Sequence, residues 1–244
     1  MTEAIRFGDA VRYPFREQGW AAKAGILALL SFIPVLNIAA VGYEVEIARR
    51  VAKGESSLLP AWGDLAVHFR RGIGLAIARY IYFLPILMLM ALAFVAASAT
   101  LFTIDTRYEA WSWVFGLACG GGILLGVFFG LVFSVVSPAV TVRYLEIGTL
   151  AACFDFPAIW GHVRLHPKPH LAVFGWILAF SLVLGLLVGP ASVFLGFIPC
   201  LGALIYPLLY AAMISALLLV LAHLEGQLLR VVLGSAVQDR KSVV

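Results

Sequence analysis

Residues 169–224 read PHLAVFGWILAFSLVLGLLVGPASVFLGFIPCLGALIYPLLYAAMISALLLVLAHL, 56 positions without one Asp, Glu, Lys or Arg. At about 20 residues per membrane-spanning helix, this is room for two spans. The break between them falls at Phe197-Ile198-Pro199-Cys200-Leu201-Gly202. Proline removes a helix hydrogen bond there, and Gly196 and Gly202 permit a tight reversal. The stretch therefore predicts a helical hairpin. Working outward, three more stretches lack charge, at 24–43, 80–104 and 110–142.

Composition agrees with this reading. The chain has 244 residues, 63% apolar and 12% charged, with mean hydropathy +1.01. A soluble domain is about 45–50% apolar and about 25% charged. Half the usual charge does not cover the surface of a water-soluble globule, so a soluble domain and a disordered chain are both excluded. Lipid is the expected solvent, and residues 1–244 are expected to form a single integral membrane domain. No cleavable leader is expected, because 23 mostly polar residues precede the first apolar run. Cys119, Cys153 and Cys200 are far apart, share no CxxC spacing and predict neither disulfide framework nor zinc site.

The first apolar stretch carries a matching break, Phe32-Ile33-Pro34-Val35-Leu36-Asn37. From Trp20 to Phe32 a helix rises only about 20 Å, short of the roughly 30 Å hydrocarbon core. A first hairpin built there is short and re-entrant.

Basic residues set the orientation. Arg6, Arg12, Arg16 and Lys23 precede the first stretch. Arg49, Arg50, Lys53, Arg70 and Arg71 follow it. Arg143, Arg164 and Lys168 lie in the next connection, and Arg230, Arg240 and Lys241 near the end. Fifteen of the 17 basic residues thus fall in four segments. Arg79 is close enough to Arg71 to snorkel to the same side, and Arg107 sits with Asp105 and Glu109 in an acidic loop. Both termini and both long connections of a multi-pass chain are therefore expected in the cytoplasm.

The expected fold is all-α and polytopic. Six helices near 19–32, 36–53, 72–100, 112–150, 171–196 and 201–233 make three hairpins. Residues 1–23 form a cytoplasmic segment, 24–233 the hairpin repeats and 234–244 a cytoplasmic tail. The competing reading makes 24–41 one full span with the N-terminus outside. It puts four basic residues on the wrong side. The +4 formal charge is thereby a membrane-topology signal, and nucleic acid is not an expected partner.

The two long connections resemble each other. One reads Leu59-Pro60-Ala61-Trp62-Gly63-Asp64 and the other Phe156-Pro157-Ala158-Ile159-Trp160-Gly161-His162. The descending helices share an ending, in Val45-Glu46-Ile47-Ala48, Leu145-Glu146-Ile147-Gly148 and Leu224-Glu225-Gly226. An internal repeat is the expectation. Repeats occur in membrane transporters, and duplication of a stable packing unit accounts for them equally.

Phe7-Gly8-Asp9-Ala10, Tyr13-Pro14-Phe15, Trp20, Gly42-Tyr43, Arg49-Arg50, Gly54-Glu55 and Leu59-Pro60-Ala61-Trp62-Gly63-Asp64-Leu65 together resemble a prokaryotic membrane family, the domain of unknown function number 4013. The resemblance covers most of the chain and is most specific in the first 75 residues. It implies a polytopic membrane protein and supplies no activity.

Residues 60–71 are amphipathic, with Trp62, Leu65, Ala66 and Phe69 on one helical face. Trp62, Trp160, Arg70 and Arg71 are candidate interfacial anchors. The sharper reading is binding of anionic headgroups and the plainer one is positioning of the hairpins. Glu46, Glu146 and Glu225 are a candidate cytoplasmic acidic ring, of the kind that favours cations in channels. Arg49, Arg50 and Arg143 stand at helical pairing distance from the first two, which offers local ion pairs instead. His162, His166 and His170 recur every four residues, but Pro167 and Pro169 interrupt them and no carboxylate or thiolate joins them. A solvated turn is expected, with neither metal nor cofactor.

Gly122, Gly126 and Gly130 recur at every fourth position, with Ala118 and Ser134 extending the stripe. Such a stripe lets two helices approach closely. No GxSxG, HExxH or phosphate-binding loop occurs, nor an intramembrane ionisable pair. The chain is expected not to be an enzyme. The leading expectation is a scaffold or accessory subunit packing against membrane lipids, another membrane protein or a second copy. The alternative is a facilitator or channel for a small solute or lipid. It needs a polar path, for which Asn37, Ser98, Thr100, Ser134, Ser181 and Ser215 are the candidates.

Overall fold

Proline and glycine cut the apolar sequence into helices. In a computed structural model, residues 5–102, 109–196 and 199–242 are described. Helices α1 (Phe7–Arg12), α2 (Trp20–Phe32), α3 (Pro34–Lys53), α4 (Leu65–Phe102), α5 (Glu109–Ile147), α6 (Phe156–Leu165), α7 (Pro167–Gly196) and α8 (Pro199–Ser242) follow in order. Short 3₁₀ turns stand at Pro14–Arg16 and Leu150–Phe154, and no strand occurs among the described residues. The fold is all-α.

Among the described residues, four segments are long and apolar enough to cross a bilayer. They are Leu65–Val95, Gly120–Ile147, Pro167–Ala191 and Ile205–Gly234. Each of their helices holds one interior proline: Pro85, Pro138, Pro190 or Pro207. Lipid-embedded helices tolerate proline where neighbouring groups re-satisfy the freed backbone. The apolar α2 is only 13 residues long.

The break between α2 and α3 is local chemistry. Ile33 precedes a proline and is extended, at φ −95 and ψ 114. Pro34 opens α3 at the first helical position, where its missing N–H is harmless. The Asn37 side-chain amide then donates to the Ser31 carbonyl at 3.1 Å, closing the end of α2.

Helix α4 starts at Leu65, seven residues before the sequence expectation. Asp64 is the reason: its Oδ1 accepts the Ala66 and Val67 N–H groups at 3.0 and 3.2 Å, an N-cap for the first turn. The amphipathic segment and its arginines thus belong to one continuous helix. The second connection folds differently. Its Pro157 and Ala158 lie inside α6, capped by Asp155, whereas Pro60-Ala61-Trp62 precedes the helix. Of the expected turns at 101–111 and at Phe197 to Gly202, residues 103–108 and 197–198 lie outside the described residues.

The chain divides into two compact units, Met1–Ala76 with Pro138–Val244, and Ile77–Ser137. In the first, α8 packs against α3, α7, α2 and α1. Lipid tails are as apolar as leucine, so helices in a membrane associate through close packing. Small residues make that packing here. A β-carbon at Gly226 would lie 2.6 Å from the Ala48 carbonyl oxygen. One at Gly42 would overlap the His68 carbonyl, and one at Gly72 the Ile38 carbonyl. Gly54 closes α3 at φ 72, its N–H bonding back to Arg50 and Val51.

In the second unit, two glycines of the predicted stripe face the other helix. A β-carbon at Gly122 would meet the Ala93 β-carbon at 2.9 Å, and one at Gly126 the Met90 sulfur at 3.1 Å. One at Gly130 would meet nothing within 4 Å. Ala118 has no described side chain. Phe94 and Leu124 are each 72% exposed, as lipid-facing side chains are.

Candidate functional site

The connection after α3 is fixed by residues from the N-terminal segment. The Glu17 carboxylate accepts the N–H groups of Leu58 and Leu59, the second at 2.9 Å. Its other oxygen lies 3.4 Å from Lys23 Nζ. Lys23 Nζ also donates to the Leu59 carbonyl at 2.7 Å. Burial pushes the Glu17 pKa up, but the two backbone N–H groups and Lys23 outweigh it and hold the carboxyl below its ordinary value.

Three rings complete the fixation. Tyr43 Oη donates to the Pro60 carbonyl at 3.2 Å. Trp62 stacks on Tyr43 with centroids 4.1 Å apart, and its indole N–H donates to the Lys23 carbonyl at 3.0 Å. His68 Nε2 donates to the Ala61 carbonyl at 3.1 Å. Burial raises the Tyr13 hydroxyl pKa above its ordinary value. Trp62 is therefore half-buried in its own chain. Trp160 is 52% exposed, with the Arg164 guanidinium 5.3 Å from its ring centroid.

The charged residues form local clusters. Glu46 accepts from Arg50 at 3.1 Å and from Arg71 at 2.7 Å. Arg143 bonds Glu146 at 3.2 Å and Asp155 at 2.8 Å, and His162 lies 3.7 Å from Glu146. The Arg143 hydrogen bond holds the Asp155 carboxyl below its ordinary value. Of the candidate acidic ring, Glu46 and Glu146 thus belong to separate ion-pair clusters. Glu225 is wholly buried in α8, and Glu44, unremarked in the sequence reading, is buried in α3. Arg70 is exposed.

The three histidines are split between elements. His162 lies on α6, His166 caps its end, and His170 on α7 donates from Nδ1 to the His166 carbonyl at 2.9 Å. Among the described residues, no group of three or more His, Cys, Asp or Glu is placed to hold a metal ion.

Most of the polar side chains expected at membrane depth bond to their own chain. Ser98 donates to Phe94 at 2.9 Å, Ser134 to Gly130 at 2.8 Å and Ser215 to Ala212 at 3.1 Å, all backbone carbonyls. Asn37 is engaged at Ser31. The Thr100 side chain lies outside the described residues.

Two cavities flank the N-terminal segment in the first unit. One, of about 430 Å³, has Arg6, Asp9, Tyr13, Arg16, Gln227 and Arg230 in its walls. The other, of about 560 Å³, is apolar, with Phe15, Trp20, Leu29, Phe180, Leu208 and Ser215 among its walls. Gln227 clamps the segment. Its Oε1 accepts the Arg6 N–H at 2.6 Å and its Nε2 donates to the Arg6 carbonyl at 3.0 Å. Tyr13 stacks on His223 at 4.7 Å and donates to the Leu219 carbonyl at 3.0 Å. Sequence reading missed Glu17 and Gln227, because their partners are remote along the chain.

The sequence profile described as protein of unknown function (DUF4013) matches residues 26–200. The chain belongs to this family. The matched span of this DUF4013 member includes the Tyr43–Trp62 stack, both ion-pair clusters and the glycine stripe. No curated protein matches it, and no solved structure matches it.

Proposed function

We propose that this DUF4013 protein is a non-enzymatic scaffold or accessory subunit of a prokaryotic cytoplasmic membrane. It packs against lipid, another membrane protein or a second copy. Three helical hairpins, the first re-entrant, keep both termini in the cytoplasm. Support for the orientation comes from the basic residues, which gather at the ends of the apolar stretches.

The observation that carries the role is the back-bonding of Asn37, Ser98, Ser134 and Ser215 to carbonyls of their own chain. The serine hydroxyls have thereby spent their single donor on the backbone, which supports packing over a polar lining. The apolar faces that carry Phe94, Leu124, Leu186 and Leu187 are exposed instead, and suit lipid or a flat helical partner.

A second reading, a facilitator for a small solute or lipid, draws on the buried carboxylates Glu44 and Glu225. An ionisable group in a membrane helix is costly and is kept chiefly for use. Two assays together decide. The scaffold reading expects a stoichiometric partner on mild-detergent extraction and no cation or solute flux in liposomes. Flux in the wild type that is lost in the double variant Glu44→Gln, Glu225→Gln would replace it with the channel reading.

A further inference from the structure

We infer that the N-terminal segment holds one phospholipid against α8, its phosphate in the basic cavity and an acyl chain in the apolar one. This rests on the membrane reading above and names the lipid chemistry it takes.

The two cavities have no lining residue in common, but both border the N-terminal segment and α8. Tyr13 and Arg16 face the basic one, while Pro14 and Phe15, between them in sequence, face the apolar one. On α8 the same division runs along the helix. Ser215 and Leu219 border the apolar cavity, and His223, Gln227 and Arg230 the basic one. Polar and apolar spaces thus adjoin along one segment, as the head and tail of a lipid do.

Charge selects the head. Arg6, Arg16 and Arg230 outnumber Asp9 and Glu55 in the basic cavity. Asp9 offsets Arg16 at 4.0 Å, and Glu55 pairs at 3.8 Å with Arg50, which is not in the cavity wall. Arg230 donates to the Val51 carbonyl, a neutral acceptor that leaves its charge in place. Gln227 holds the Arg6 backbone on both sides, which fixes where that side chain starts. Arginine forks match phosphate oxygens. The apolar cavity falls within the usual 300–1,000 Å³ of small-molecule sites. Phe15 at 61% and Leu208 at 63% exposure form its rim, open to the solvent that apolar α2 and α8 imply, the lipid tail region.

Native mass spectrometry of the full chain, delipidated in detergent and offered single lipids, tests this. Phosphatidylglycerol should bind one to one and outcompete diacylglycerol with the same chains by about tenfold, the scale of one or two charge-assisted hydrogen bonds. Arg6→Gln with Arg16→Gln should erase that preference. Gly25→Phe should lower binding of both lipids, since Gly25 lines the groove and its β-carbon would meet nothing within 4 Å.

Equal retention of phosphatidylglycerol by folded wild type and both variants overturns the inference. So does equal binding of the two lipids. A thermal shift with inorganic phosphate that phosphatidylglycerol does not reproduce assigns the cavity to a soluble phosphate and overturns the lipid. Recovery of the chain in the soluble fraction would defeat the membrane reading itself, an outcome distinct from an inserted protein without lipid preference.

Discussion

Trp62 lies face to face with Tyr43, ring centroids 4.1 Å apart and planes 4° from parallel. The indole N–H is spent on the Lys23 carbonyl and the phenol on Pro60. One residue of the connection is thereby tied at once to α2 and α3. Trp62→Ala should lower unfolding free energy by ~2 kcal/mol, below the ~3–5 kcal/mol of a fully buried aromatic because the ring is half-buried. Trp62→Phe keeps a stacking ring and loses one hydrogen bond, for ~1 kcal/mol. Unfolding in detergent measures both. An unchanged Trp62→Ala protein would leave Trp62 only as a contact to headgroups.

Glu17 should make stability acid-sensitive. Its folded pKa lies below the 4.5 of an unperturbed glutamate. Its contribution is therefore complete above about pH 4.5 and disappears as pH falls through the folded value. Glu17→Gln should destabilise the protein at neutral pH by ~1 kcal/mol and flatten the decline on acidification. Melting curves from pH 7 to pH 3 read this. A variant with the same acid limb as wild type would exclude Glu17 as its source.

The glycines should divide by what their β-carbons would meet. Gly42→Ala, directed at the His68 carbonyl backbone, should cost ~1–3 kcal/mol through overpacking. Gly122→Leu and Gly126→Leu, facing Ala93 and Met90, should push α4 and α5 apart and reduce the folded yield. Gly130→Ala, facing open space, should be neutral or stabilise by up to ~1 kcal/mol through helix propensity. Equal effects at Gly122 and Gly130 would remove the packing argument.

The helical breaks were legible where they rest on local rules. Pro34 forces Ile33 out of helix, and the short reach from Trp20 to Phe32 follows from counting. The start of α4 differs from the expected position near 72, because the apolar periodicity is interrupted at the Arg70-Arg71 pair although the amphipathic segment before it is continuous with the span. The available signal was Asp64, a capping residue directly before an apolar run. The site was harder. Gln227 clamps Arg6, and Glu17 caps the backbone at Leu58 and Leu59, only once folding has brought distant segments together. No spacing encodes that. Trp62 was legible as an amphipathic aromatic, but its partners Tyr43 and Lys23 belong to tertiary structure.

Everything proposed for this chain depends on its lying in the membrane with its basic segments on one side. Single cysteines at Glu55, Leu165 and Asp105 in intact cells test that most directly. The first two positions are exposed, and Asp105 lies outside the described residues. A membrane-impermeant thiol reagent should label position 105 from outside and reach positions 55 and 165 only after permeabilisation. External labelling at all three positions, or recovery of the protein in the soluble fraction without detergent, would contradict the account.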